Sequence, residues 1–150
     1  MAPDESTSST ELIAGFAAFP DRLTAAAHAA ETRPVPAGEW GPSEVVRHLI
    51  AVERAVWHVR FAQVAVDDDP QWDWTEPGPT PELEGAPLDR ILAVFAEARH
   101  QTVATVRSFD EAGWARHGTH ATEGVLDVAG LLRMVVEHDK EHLEGLAAGD

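Results

Sequence analysis

Two histidines near the end of the chain have the spacing of a metal-chelating pair. His138 and His142 lie four residues apart in a stretch with helical periodicity, so both imidazoles project from one face about one turn apart. They continue the line of Leu131 and Val135, whereas charged residues fill the opposite face. Both rings are therefore expected to point inward, where they could chelate one ion.

A third histidine, His48, lies on the margin of the apolar arc of another long helical stretch. A lone histidine on such an arc is usually a satisfied core residue. Three imidazoles in a bundle core, however, are a sufficient protein shell for a divalent metal and leave coordination positions open. Spacing alone does not show that the two helices are neighbours at this height, so both interpretations stay open here.

The composition narrows the chemistry and the partners. The chain has no Cys, which leaves His and carboxylates as its strong metal ligands. Eleven basic residues against 26 acidic ones give a net charge of -15, which would repel nucleic acid and an anionic membrane. The N-terminus is polar and acidic, and no stretch approaches membrane-spanning length, so we expect a cytoplasmic protein.

Four helical stretches must position these histidines. A length of 150 residues predicts one domain. Residues 1–8 are expected to form a frayed leader. Pro20 inside the first stretch predicts a kink or a helix restart. The second stretch places Val45, Val46, Leu49, Val52, Val56 and Val59 on its apolar arc. The predicted helices are Leu12–Ala30, Pro42–Val66, Leu88–Ser108 and Val125–Ala147. The fold class is therefore all-α, a four-helix bundle with a long crossover loop, Asp67–Pro87, between the second and third helices.

The crossover loop carries two tryptophans. Trp72 and Trp74 could pack over a functional site, or they could pin the loop to the bundle. The sequence favours the second interpretation slightly.

Arg99 lies in the middle of the inward stripe of the third helix, so its charge needs an anionic partner. Glu53 and Asp139 also fall on apolar arcs and could supply a buried ion pair, the interpretation we favour. Alternatively, Arg99 could bind a substrate carboxylate. Asp139 could instead orient a ligating imidazole, or act as a cap or salt-bridge partner. These three residues are the candidates for a catalytic role.

The other five histidines receive no role in the site. We expect His28, His58 and His100 to be solvated. His117 and His120 lie in the connection before the fourth helix.

The order of several short motifs resembles the DinB-like superfamily, which includes low-molecular-weight-thiol S-transferases and related isomerases. The landmarks are Trp40 before a helix with Val46-Arg47-His48-Leu49 and Glu53, then Ala98-Arg99 with Thr102, and His138-Asp139-x-x-His142-Leu143. Gly41 stands where the family usually has a Ser or Thr N-cap, which costs a few tenths of a kcal/mol. The resemblance implies a four-helix bundle whose metal triad falls on His48, His138 and His142.

The resemblance also implies an activity. The leading hypothesis is a metal-dependent enzyme that transfers a low-molecular-weight thiol to an electrophilic small-molecule substrate, with Zn or Ni as the divalent ion. The alternatives are a metal-dependent hydrolase that uses metal-bound hydroxide and a non-catalytic metal-binding bundle. A two-fold homodimer is expected, because exposed apolar residues on a small bundle often find a partner.

Overall fold

Four long helices dominate the computed structural model, which describes residues 8–148. The helices are α1 (Ser9–Glu31), α2 (Pro42–Val52), α3 (His58–Val66), α4 (Leu88–Arg107), the short α5 (Glu111–Trp114) and α6 (Val128–Ala148). A π-helical turn, Glu53–Trp57, joins α2 and α3 into one long helix. The strands are β1 (Gln71–Trp72), β2 (His117–His120) and β3 (Gly124–Asp127), and a 3₁₀ turn covers Pro81–Leu83. The expected all-helical bundle with its long crossover loop is confirmed, and residues 1–7 of the expected leader lie outside the described residues.

The helices pack around two groups of buried apolar side chains. Helix α1 lies mainly against α6 and α4, and α2 lies mainly against α4 and α1. Phe16, Trp57 and Phe61 belong to the first group, and Phe19 and Phe95 belong to the second. None of the helices within residues 8–148 combines the length and apolar character that crossing a bilayer requires.

Helix α1 continues through Pro20, so of the two expected outcomes, a kink or a restart, the restart is wrong. A proline in a helix interior has no N–H for the carbonyl four residues earlier, which here is the carbonyl of Phe16. Nη1 of Arg99 donates a 3.0 Å hydrogen bond to that oxygen instead. The helix therefore tolerates Pro20, because the buried side chain of Arg99 supplies the hydrogen-bond donor that proline lacks.

The π-helical turn changes which side chains face the core. This turn holds one more residue than an α-helical turn. Because one residue corresponds to about 100° around the axis of an α-helix, the residues after the turn occupy the faces that an uninterrupted helix would give to residues one position earlier. Phe61 is fully buried as a result, and Val59, expected on the apolar arc, is 40% exposed. The prediction for Val59 was wrong because a helical wheel assumes an uninterrupted α-helix.

A small sheet, which the sequence analysis did not predict, ties the crossover loop to the end of the bundle. Strand β1 pairs in parallel with β2, which pairs antiparallel with β3. The β3 strand takes up Val125, so α6 begins at Val128, later than predicted. Asp127 fixes that start, because its carboxylate accepts a 2.7 Å hydrogen bond from the Gly130 N–H.

Trp72 pins the crossover loop to the helix before it. Its side chain is buried, and its Nε1 donates a 2.8 Å hydrogen bond to Oε1 of Gln63. The indole also lies so close to Gly118 that a Cβ on that residue would meet the ring at 2.4 Å. Trp74, in contrast, is 72% exposed.

Candidate metal centre

The three histidines singled out in the sequence converge between α2 and α6. His48 projects from α2, and His138 and His142 project from α6. One ring nitrogen of each lies within 4.8 Å of those of the other two. The ring centroids are 4.6 Å apart for His138 and His142, 5.1 Å for His48 and His142, and 6.3 Å for His48 and His138.

Burial favours the neutral form of all three imidazoles. Desolvation, with the neighbouring His142 and His48 and the charge of Arg99, lowers the pKa of His138 to about 4. Desolvation likewise lowers the pKa of His142, with a further contribution from His48. Burial lowers the pKa of His48 too, although the charge of Glu76 opposes that shift. Neutral imidazole is the form that ligates a metal ion.

These donors fit a divalent metal. Nδ1 of His138 is a buried polar atom, and no group within residues 8–148 forms a hydrogen bond with it. Its ring is instead positioned by packing against the Trp57 indole. The two rings meet in a T-shaped arrangement with their centroids 5.5 Å apart. Because buried polar atoms are normally paired, an unpartnered nitrogen in a cluster of three neutral imidazoles indicates a place for an external ligand or ion.

A cavity of about 980 Å³ adjoins the cluster. His48 and His138 both line it. Trp40, which is 53% exposed, lies with its ring 5.2 Å from that of His48, and Trp57 forms part of the wall beside His138. His48 and His138 are thus accessible to a molecule of the size that such cavities bind.

A family model described as the DinB superfamily matches residues 7–146. The chain belongs to this superfamily. One similar solved structure has a TM-score of 0.77 at 19% sequence identity and covers 99% of this chain and 91% of its own. It is described as "YfiT from Bacillus subtilis is a probable metal-dependent hydrolase with an unusual four-helix bundle topology". At this level of identity the likeness supports the four-helix-bundle fold alone. Comparison with curated protein sequences gives no match.

Arg99 of this DinB-superfamily chain is fully engaged by two carboxylates. It donates to both oxygens of Glu53 at 3.0 Å and to those of Asp139 at 2.8 and 2.9 Å. With the bond to Phe16, all five guanidinium N–H groups have an acceptor. Burial alone would lower the pKa of Arg99, but the charges and hydrogen bonds of Glu53 and Asp139 outweigh it and raise that pKa. Phe19 and Phe95 flank the guanidinium at 5.4 and 5.2 Å from their ring centroids.

This network bears on the three catalytic candidates. Arg99, Glu53 and Asp139 are all buried, and none of them lines the cavity. Both oxygens of Asp139 accept hydrogen bonds from Arg99, and within residues 8–148 no histidine donates to them, so this carboxylate is a salt-bridge partner of Arg99. Desolvation raises the pKa of Asp139 to about 6, so the carboxylate is still mainly ionised at neutral pH.

Sequence reasoning missed several residues that line the cavity. They include Trp57, Arg60 and His120. Nδ1 of His120 accepts hydrogen bonds from the N–H groups of Thr122 and Glu123, so the neutral ring carries its proton on Nε2. No local motif marks His120. Its position beside the crossover loop depends on the pairing of β1 with β2, two segments that are far apart in the sequence.

The other histidines lie elsewhere. Nε2 of His28 is 2.9 Å from Asp89, and His100 is exposed. His58, expected to be solvated, is partly buried, with Nδ1 3.5 Å from Oγ1 of Thr102. Nε2 of His117 is 3.7 Å from Asp69 on the surface.

Proposed function

We propose that this protein is a metal-dependent enzyme that transfers a low-molecular-weight thiol to an electrophilic small molecule. His48, His138 and His142 would hold the ion, with Zn²⁺ or Ni²⁺ as the first candidates. A divalent ion bound there supplies a Lewis acid and lowers the pKa of a thiol or water molecule beside it. The observation that carries this proposal is the convergence of three imidazoles, two of which, His48 and His138, line a large cavity.

The size of the cavity supports a reaction between two molecules. A volume of about 980 Å³ is at the upper end of the range of roughly 300–1,000 Å³ for small-molecule pockets. A thiol the size of a short peptide and an electrophile can therefore be held together beside the histidines. Holding two reactants in contact is itself a large source of rate acceleration.

The transfer is a substitution at carbon. The thiol gives up its proton to solvent, its sulfur forms a new S–C bond, and the electron pair of the broken bond leaves with the displaced group. Because the chain contains no Cys, the sulfur must come from an external thiol. The indoles of Trp40 and Trp57 supply apolar surface that can hold the electrophile against the histidines and exclude water from one side of it.

Hydrolysis is the second candidate, and one observation favours it. The similar structure from Bacillus subtilis is described as a probable metal-dependent hydrolase. Hydrolysis and thiol transfer would use the same histidines and the same Lewis acid, so the identity of the nucleophile is what separates them. A third possibility is a metal that only joins α2 to α6 and supports no reaction.

The test is a panel of electrophiles assayed with and without added thiol. The panel should include monochlorobimane and p-nitrophenyl acetate, with cysteine and glutathione as thiols. We expect the zinc- or nickel-loaded protein to accelerate conjugation of the added thiol to an electrophile. Without a thiol, it should not accelerate ester cleavage. The matched control is the His48→Ala, His142→Ala double variant, which loses two donors and changes the cavity wall only at His48.

The outcomes separate the three possibilities. Acceleration of ester cleavage without a thiol would favour the hydrolase and contradict thiol transfer. Equal rates for the metal-loaded protein, the chelator-treated protein and the double variant across the panel would leave only the non-catalytic role.

A further inference from the structure

The guanidinium of Arg60 is a buried cation on the cavity wall without a counter-ion. Its residue is only 5% exposed, and no acidic side chain within residues 8–148 forms an ion pair with it. Nη2 donates a 2.8 Å hydrogen bond to the carbonyl of Asp73, and Nη1 lies 3.9 Å from the sulfur of Met134, a weak acceptor. A guanidinium has five N–H donors, so Arg60 keeps donors for a further acceptor.

Folding does not account for this charge as it does for Arg99. Two carboxylates offset the charge of Arg99 and, with a carbonyl, saturate its donors, whereas burial lowers the pKa of Arg60 and no acid within residues 8–148 pairs with it. Buried charges in proteins are normally paired, because an unpaired one is costly to desolvate. An unpaired cation at a cavity wall therefore points to an anion that arrives with a ligand.

Two indoles hold this guanidinium in place. Its central carbon lies 5.7 Å from the ring centroid of Trp57 and 5.8 Å from that of Trp72. The same Trp57 ring is 5.5 Å from the ring of His138. A single indole thus separates the cation from the histidine cluster, and one small molecule can reach both.

Three acidic residues line the cavity, Glu44, Asp73 and Glu76, and within residues 8–148 none of them forms an ion pair with Arg60. The charge of Glu76 acts on His48, where it opposes the lowering of the pKa. Glu44 accepts the Gly41 N–H at 3.1 Å, and the carboxylate of Asp73 accepts the Trp74 N–H at 2.7 Å. Only the backbone oxygen of Asp73 reaches Arg60. The guanidinium is consequently available to an anionic group that enters the cavity.

We propose that Arg60 binds a carboxylate of the small-molecule substrate, across the Trp57 indole from the histidines. This names the substrate class of the cavity and rests on the proposed function only in taking that cavity as the substrate site. Arginine matches a carboxylate with two parallel hydrogen bonds, which gives orientation as well as affinity. The substrate is then an organic acid with an apolar or aromatic body, and its reacting end faces His48 and His138.

The test compares two probes of equal shape, phenylacetate and phenylacetamide. Their binding to the full-length protein is measured by calorimetry, once with zinc bound and once after treatment with a chelator. We expect phenylacetate to bind about tenfold or more tightly than phenylacetamide in both states, because a hydrogen-bonded charge pair replaces a neutral contact. Arg60→Gln should abolish this preference, and Arg60→Lys should keep part of it.

Arg54→Gln is the matched control, because it removes the same charge from the same long helix. Arg54 is exposed and paired with Glu82, outside the cavity, so its variant should keep the preference. Circular dichroism checks that each variant is folded. Should Arg60→Gln fail to fold, the two probes on the unmodified protein and on Arg60→Lys still decide the question.

Several results would overturn the carboxylate site. They are equal affinity for the two probes, no measurable binding of phenylacetate, and a preference that survives in Arg60→Gln. A preference that vanishes with the chelator would place the carboxylate on the metal and would also overturn it. If the protein prefers phenylacetate but accelerates no thiol conjugation in the electrophile panel, the proposed function is overturned and the carboxylate site stands.

Discussion

The two buried arginines of this chain differ in what balances their charge. Arg99 shares its five donors among Glu53, Asp139 and the carbonyl of Phe16, so its charge is balanced within the protein. Arg60 lines the cavity, and none of the acids in the described part of the chain, residues 8–148, pairs with it. The first arrangement serves the fold, and the second is suited to a ligand.

Substituting Arg99 by Leu should destabilise the protein strongly. The change leaves the carboxylates of Glu53 and Asp139 buried without a partner, which typically costs about 3–5 kcal/mol. Urea unfolding followed by circular dichroism measures the loss. Arg54→Leu is the control, since its exposed pair with Glu82 should contribute less than about 1 kcal/mol.

A stable Arg99→Leu variant would contradict the structural role of that residue. If the same variant also lost affinity for a carboxylate probe, the substrate would be bound by Arg99 and not by Arg60.

At the scale of elements, the fixed position of the crossover loop shapes the cavity. Trp72 anchors the loop through Gln63 and through its contact with Gly118, and the residues that follow it, Asp73 to Thr80, line the cavity. Pairing of β1 with β2 fixes the two residues that come directly before this segment. Disturbing the Trp72 contact should therefore affect both stability and the cavity.

Gly118→Ala should cost about 1–3 kcal/mol, because the new methyl group would meet the Trp72 ring and force the loop outward. Tryptophan fluorescence should show Trp72 becoming more solvated, and urea unfolding gives the free energy. Gly78→Ala is the matched control in the same loop, since a Cβ there meets no atom within 4 Å. Equal stability of the two variants would show that the indole does not depend on this close contact.

The elements that were predictable from the sequence are those with local, periodic signals. Apolar spacing located the long helices, and spacing with the family resemblance singled out His48, His138 and His142. The π-helical turn has no such signal, so the wheel misplaced Val59 and gave no indication of Phe61. Strand β1 has two residues and depends on a partner far along the chain, which no local pattern reveals.

At the scale of the whole molecule, the net charge of -15 should destabilise the compact state by self-repulsion. Raising NaCl from about 0.05 M to about 0.5 M shortens the screening length severalfold, so the thermal midpoint should rise. Differential scanning calorimetry measures it, and KCl should give the same shift at equal ionic strength. A midpoint that stays constant or falls with salt would mean that attractive ion pairs dominate instead.

The expected homodimer and the cytoplasmic location stay predictions. Light scattering coupled to size-exclusion chromatography tests the first. A mass near that of one 16.2 kDa chain would rule out the dimer at the concentration used.

The proposed metal centre requires that His48, His138 and His142 bind one divalent ion together. The deciding measurement is the zinc and nickel content, by mass spectrometry, of protein purified without chelators. We predict about one ion per chain, nearly complete loss in the His48→Ala, His142→Ala double variant, and full retention in a His28→Ala, His100→Ala control. Equal metal content in the two double variants, or none in the unmodified protein even after addition of zinc and nickel, would contradict the metal centre.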